Sequence, residues 1–160
     1  MPLYPTMIAA LIMLCLLPLA PLMATAAAAP LYTHFTYMLA HANLWHWAIN
    51  AWGLLLLNPL FTLPRVTVAY LISAGISFIP INEGRPLLGA SVVVCFFIGL
   101  TLPALHRRKP LIAAQTVILI IIGCLIPGIA ALHHIVMLLA GIIYRPLERI
   151  TRDAINFISH

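Results

Sequence analysis

The stretch LAHANLWHWAINAW, Leu39–Trp52, carries two histidines, two asparagines and three tryptophans inside an otherwise apolar run. A polar group placed in hydrocarbon costs free energy unless a partner satisfies it. His46 and Asn50 are four residues apart and share one face of a helix. His41, five residues earlier, points elsewhere, near the membrane edge. Reading this stretch as a membrane helix with a polar inner face decides the fold, because the rest of the chain is more apolar still.

Of the 160 residues 64% are hydrophobic and only 7% are charged, and the mean hydropathy is +1.11. Soluble domains carry about 25% charged residues. The composition therefore predicts an all-α, polytopic membrane protein built as a single domain over residues 1–160. The net charge of +5 would raise nucleic acid as a partner in a soluble chain. Here the basic residues sit at helix ends, so topology accounts for them and no nucleic acid is expected. Cys15, Cys95 and Cys124 lie in apolar segments without a CxxC, so neither a disulfide framework nor a zinc ribbon is read.

Six apolar segments are marked off by Pro, Gly and charge: 7–24, 40–57, 66–80, 87–105, 110–126 and 128–144. With both ends inside, seven of the eight Lys and Arg residues face the cytoplasm and only Arg85 lies outside. That sorting fits a multi-pass protein of a bacterial inner membrane. Residues 1–28 form the first helix or, in a rival reading, a cleaved signal peptide, although no Lys or Arg precedes the apolar run. Residues 146–160 read as a cytoplasmic amphipathic tail, with Leu147, Ile150, Ala154 and Phe157 at helical spacing. Tyr32, Tyr37 and the tryptophans Trp45, Trp47 and Trp52 fit interface anchors or bulk.

On this topology the second, fourth and sixth spans all start at the outer face. His41, His46 and Asn50, then Ser91, then His133 and His134 would lie at similar depth. Gly89, two residues before Ser91, allows close backbone approach. His134 stands seven residues before Gly141, on one face, where a small residue permits tight helix packing. His133 is about 100° away. A serine, a histidine and further donors at one depth suggest nucleophilic chemistry: imidazole takes the hydroxyl proton and His or Asn donors meet the oxyanion. No carboxylate lies at this depth, since Glu83 is in the outer loop and Glu148 and Asp153 are on the other side. A hydrolase built from these residues would use a Ser–His dyad.

Three segments resemble the rhomboid intramembrane serine proteases. HANLWHWAIN matches H-x4-H-x3-N, GAS matches Gly-x-Ser, and HHIVMLLAG matches a His seven residues before a Gly. The resemblance implies a six-helix rhomboid-like bundle in which Ser91 is the nucleophile and His134 the base. It implies an oxyanion hole of His46, Asn50 and the Ser91 backbone N–H, with His41, Gly89 and Gly141 structural beside it. It implies an endopeptidase that cleaves transmembrane segments of membrane proteins, often after a small residue, without cofactor or metal. The chain departs from the pattern in having Val92 after the serine, Met137 three residues after the histidine and Cys95 four after the serine. It also lacks the large first outer loop.

Two other readings compete. One is a catalytically silent rhomboid-like protein that binds transmembrane helices, for which Val92 and Met137 argue. The other gathers His34, His41, His46, His133 and His134 into a metal or haem site, since imidazole suits zinc, copper and haem iron. For Asn50 and His46, an interhelical hydrogen-bond pair holding the bundle is nearly as good an account as the oxyanion hole.

Overall fold

The computed structural model describes residues 4–80, 86–125 and 130–158. The described chain is all-α. Its helices are α1 (Tyr4–Cys15), α2 (Ala20–Met23), α3 (Leu31–Thr36), α4 (Leu44–Leu56), α5 (Leu63–Ser77), α6 (Ser91–Arg108), α7 (Pro110–Leu125) and α8 (Ala131–Ile158). The six apolar segments of the sequence all emerge as helix, but their lengths depart from expectation. Among the described residues α6 alone is long and apolar enough to cross a membrane; the bent pair at residues 5–15 and 17–23 would add a second. That is far short of six spans.

The physical reasons are local. Pro18 and Pro21 cannot donate backbone N–H groups, and the first segment bends by 51° there. Asn43 caps α4 by accepting the His46 N–H at 2.9 Å, so this helix starts four residues later than the apolar pattern does. Asn58-Pro59 ends it after 13 residues. The fourth segment begins with extended chain, where Leu87 pairs with Thr25 in an isolated antiparallel bridge. The sixth runs straight through Pro146 into the tail as one helix of 28 residues. Leu147 and Ile150 of the tail are exposed, in keeping with an outward apolar face. The side chains of Ala154 and Phe157, and the outer-loop residues Glu83 and Arg85, lie outside the described residues.

α6 and α8 form the central pair. They cross at Gly99 and Gly141, where the backbones touch. A Cβ on Gly141 would run into the Phe96 carbonyl, and one on Gly99 into the Leu138 carbonyl. Gly141 was legible as a packing residue; Gly99 is its unpredicted partner. Met137 and Val92, which stand where glycines were expected, are buried core residues at 0% and 3% exposure. The helices reach close approach at Gly99 instead.

Around this pair α1, α4 and α5 are held by polar ties. Trp47 donates its indole N–H to the Ala10 carbonyl at 2.8 Å, and Thr6 donates to Asn58 Oδ1 at 2.8 Å, joining α1 to α4 and to the turn after it. Trp47 is thus an internal tie, while Trp45 and Trp52 are exposed. Tyr37 is not an interface residue: it is fully buried, and its hydroxyl lies 2.6 Å from Ser73 Oγ and 3.0 Å from the Ser73 carbonyl. Arg65, at the start of α5, grips Glu148 of α8 through two nitrogens at 2.8 and 2.9 Å and also donates to the Leu60 carbonyl.

α4 carries an exposed apolar stripe. Trp45, Ile49, Trp52 and Leu56 form a stripe at helical spacing, all 65–80% exposed, while Asn50, Ala51 and Leu54 are buried. Four large apolar side chains of this helix face outward, while the buried side carries Asn50 beside Ala51 and Leu54.

Two predictions follow from this packing. Gly141→Ala forces the α6–α8 crossing apart and lowers stability by about 2–3 kcal/mol, whereas Gly75→Ala raises it by ~0.4–1 kcal/mol or leaves it unchanged. A Cβ at Gly75 meets nothing within 4 Å. Thermal unfolding of the purified variants in detergent measures both. Burial pushes the Tyr37 hydroxyl up from 10.0 to about 12. The folded form therefore resists ionisation, and stability falls as pH rises from 10 through 12. The loss amounts to roughly 2–3 kcal/mol. Tyr37→Phe, followed by unfolding across this alkaline range, should remove that part of the slope.

Candidate active site

The site forms where the start of α6 meets the start of α8. Residues 86–90 lead into α6 and are strapped on three sides. Leu87 pairs with Thr25, the Gly89 N–H donates to the Tyr37 carbonyl at 2.9 Å, and the Ala90 N–H points at His41 Nε2 at 3.4 Å. Gly89 adopts φ +105°, a conformation L side chains rarely take. The chain turns there and delivers Ser91 as the first residue of α6.

Ser91 Oγ lies 2.7 Å from His134 Nε2, across 43 positions of sequence. The other ring nitrogen of His134, Nδ1, lies 2.8 Å from the Ala130 carbonyl. A carbonyl can only accept, so Nδ1 carries the proton in the neutral ring. Nε2 then holds the lone pair facing the serine hydroxyl. The Ala130 carbonyl does the orienting that a carboxylate performs in a triad. Both Ser91 and His134 are partly exposed, so solvent can reach them.

The donors around this pair come from two sources. The first intrahelical bond of α6 is donated by Val94, so the N–H groups of its first turn, that of Ser91 included, point beyond the helix end. They carry the positive end of the helix dipole. His46 supplies the second. Its Nδ1 accepts from the Ala42 N–H at 3.3 Å, which leaves the proton on Nε2. That ring lies against Gly89: a Cβ there would sit 2.6 Å from His46 Cε1 and 2.7 Å from Nε2. Gly89 is needed twice, for its backbone angle and for the space the imidazole fills.

Asn50 is buried and donates its amide to the His46 carbonyl at 2.8 Å, fixing it on its own helix. His41 does not face the membrane edge. It is fully buried, with its ring edge-on to His46 at 5.1 Å between centroids, and it ties the start of α4 to Ala90. His133 is buried beside the Ile76 backbone of α5. His34 is stacked on Phe78 at 3.8 Å, with Nδ1 2.8 Å from Ser77 Oγ. No group of three metal-binding side chains occurs among the described residues.

Sequence reasoning missed Ala130 and Ala42, whose roles are played by backbone atoms. The only signal for Ala130 is its place one turn before His134. Compared with protein-family models the chain matches none, and no curated protein matches it in sequence.

If Gly89 is what seats His46, Gly89→Ala displaces the ring at a backbone cost of about 1–3 kcal/mol. The rate at which a fluorophosphonate labels Ser91 then falls about 10²-fold, as for loss of an oxyanion donor. Gly75→Ala, remote from the site, labels at the parental rate in the same gel assay.

Proposed function

We propose that this chain is an intramembrane serine endopeptidase of the rhomboid type, which cleaves transmembrane segments of other membrane proteins. The observation that carries the reading is the 2.7 Å approach of Ser91 Oγ to His134 Nε2, with Nδ1 tied to the Ala130 carbonyl. HANLWHWAIN through His46, GAS through Gly89 and Ser91, and HHIVMLLAG through His134 meet there, which supports the reading.

The chemistry follows from these atoms. Ser91 Oγ attacks the scissile carbonyl carbon while its proton passes to His134 Nε2. The carbonyl oxygen gains negative charge and is met by the Ser91 N–H and the His46 Nε2–H, each worth about 2.7–4 kcal/mol in a soluble serine protease. The imidazolium gives its Nε2 proton to the departing amine as the C–N bond breaks. Water then loses a proton to Nε2 and attacks the acyl carbon, and the proton returns to Ser91 Oγ. No metal or cofactor enters this sequence. A helical substrate hides its carbonyls in its own hydrogen bonds, so it must unwind first.

In this reading all six helical segments span the bilayer, with spans α4, α5 and α7 only 13, 15 and 16 residues long. Such helices are about 20–24 Å long, against a hydrocarbon core of about 30 Å. We propose that the bilayer thins around them, which also helps a substrate bend towards Ser91. The exposed apolar stripe of α4, Trp45, Ile49, Trp52 and Leu56, supports a lipid-facing surface. The contacts of α1 with α4 support a first segment that serves as a helix of the bundle. The arrangement belongs in a bacterial inner membrane, with the basic helix ends in the cytoplasm.

The test is fluorophosphonate labelling of the detergent-solubilised protein. Labelling should require Ser91, vanish in Ser91→Ala and slow at least about 10²-fold in His134→Ala. Wild type labelled no more than Ser91→Ala would sink the protease reading and favour a silent, helix-binding protein.

A further inference from the structure

The far end of α6 carries a second feature, about 25 Å along the helix from Ser91 and separate from its chemistry. α7 packs chiefly on α6 and α8. Pro103 interrupts the hydrogen-bond ladder inside α6. Between the three helices lies a cleft of about 690 Å³. Its walls are apolar: Pro103 from α6, Ala114 and Ile118 from α7, and Ile142 from α8, with His106 and Pro110 at the end nearest the α6–α7 turn.

That turn is Arg107-Arg108-Lys109, fully flanked by the cleft residues His106 and Pro110. All three cations are exposed, and no ion pair to them occurs among the described residues. The chain has only three acidic residues to offer, and Glu148 is held by Arg65 and Arg145. An apolar slot ending in three unneutralised cations fits one ligand chemistry: an acyl chain with an anionic headgroup. A transmembrane helix in the cleft would leave the basic turn without a counter-charge.

We infer that the cleft between α6, α7 and α8 is a docking site for an anionic phospholipid, one acyl chain lying against Ile118 and Ile142 and the phosphate resting on Arg107, Arg108 and Lys109. The inference needs the membrane placement proposed above, but not the protease activity. Lipid in this slot would brace α7 against the central helix pair. Basic residues at a membrane surface attract anionic lipids, each changing affinity roughly fivefold.

The experiment is native mass spectrometry of the delipidated, detergent-solubilised protein, titrated with phosphatidylglycerol or phosphatidylcholine of the same acyl chains. The expected result is one phosphatidylglycerol retained at least about tenfold more tightly than phosphatidylcholine. Arg107→Gln with Arg108→Gln and Lys109→Gln should abolish that preference. Ala114→Trp, which fills the cleft from an exposed helix position, should weaken binding of both lipids. Equal retention of the two lipids by the wild type, or unchanged retention in Ala114→Trp, would overturn the docking site. A chain that stays soluble and monomeric without detergent would instead overturn the membrane placement on which it stands.

Discussion

Everything in the candidate site depends on one contact, the crossing of α6 and α8 at Gly99 and Gly141. The two helices approach until backbone meets backbone, with no side chain between them. The crossing lies about two turns below Ser91 on one helix and His134 on the other. Rigid helices carry that spacing upward, so the position of two hydrogen atoms at the crossing sets whether a hydroxyl and an imidazole can share a proton. Any side chain at either glycine would act as a wedge, and its effect would reach the dyad as a rigid tilt. Helix packing of this kind, through small residues, is what a bilayer favours, because lipid offers no hydrophobic drive for helices to associate.

Above the crossing, the site is assembled from groups that orient one another. The Ala130 carbonyl fixes the tautomer of His134, and the Ala42 N–H fixes that of His46. The two imidazoles are held in opposite senses. His134 presents a lone pair to the serine, whereas His46 presents an N–H to the space beside Gly89. In the proposed reaction one accepts a proton and the other stabilises negative charge, so the same side chain would serve two roles through its backbone partner alone. His41 braces this arrangement by linking His46 to Ala90.

Much of this was legible in the sequence, and the rest was not for identifiable reasons. His46, Asn50, Ser91, His134 and Gly141 stood out because polar or small residues at helical spacing are costly or conspicuous in an apolar chain. The all-α class followed from composition. Helix lengths depart from the hydropathy pattern because the hydropathy of Ala40, Leu87 and Leu88 does not reveal the Asn43 cap or the extended strap at Leu87. Tyr37 looked like an interface anchor because its hydroxyl's partner, Ser73, is 36 positions away. Gly99 gives no signal in the sequence for a related reason: a glycine contact exists only when two helices are brought together. Ala130 and Ala42 act through main-chain atoms, which no residue type announces.

The most direct test of the central claim is a crystal structure of the protein after reaction with a fluorophosphonate. The account predicts phosphorus bonded to Ser91 Oγ, with a phosphoryl oxygen accepting from the Ser91 N–H and from His46 Nε2. His134 Nδ1 should remain on the Ala130 carbonyl. An unmodified Ser91 standing apart from His134, or an adduct on another side chain, would contradict it.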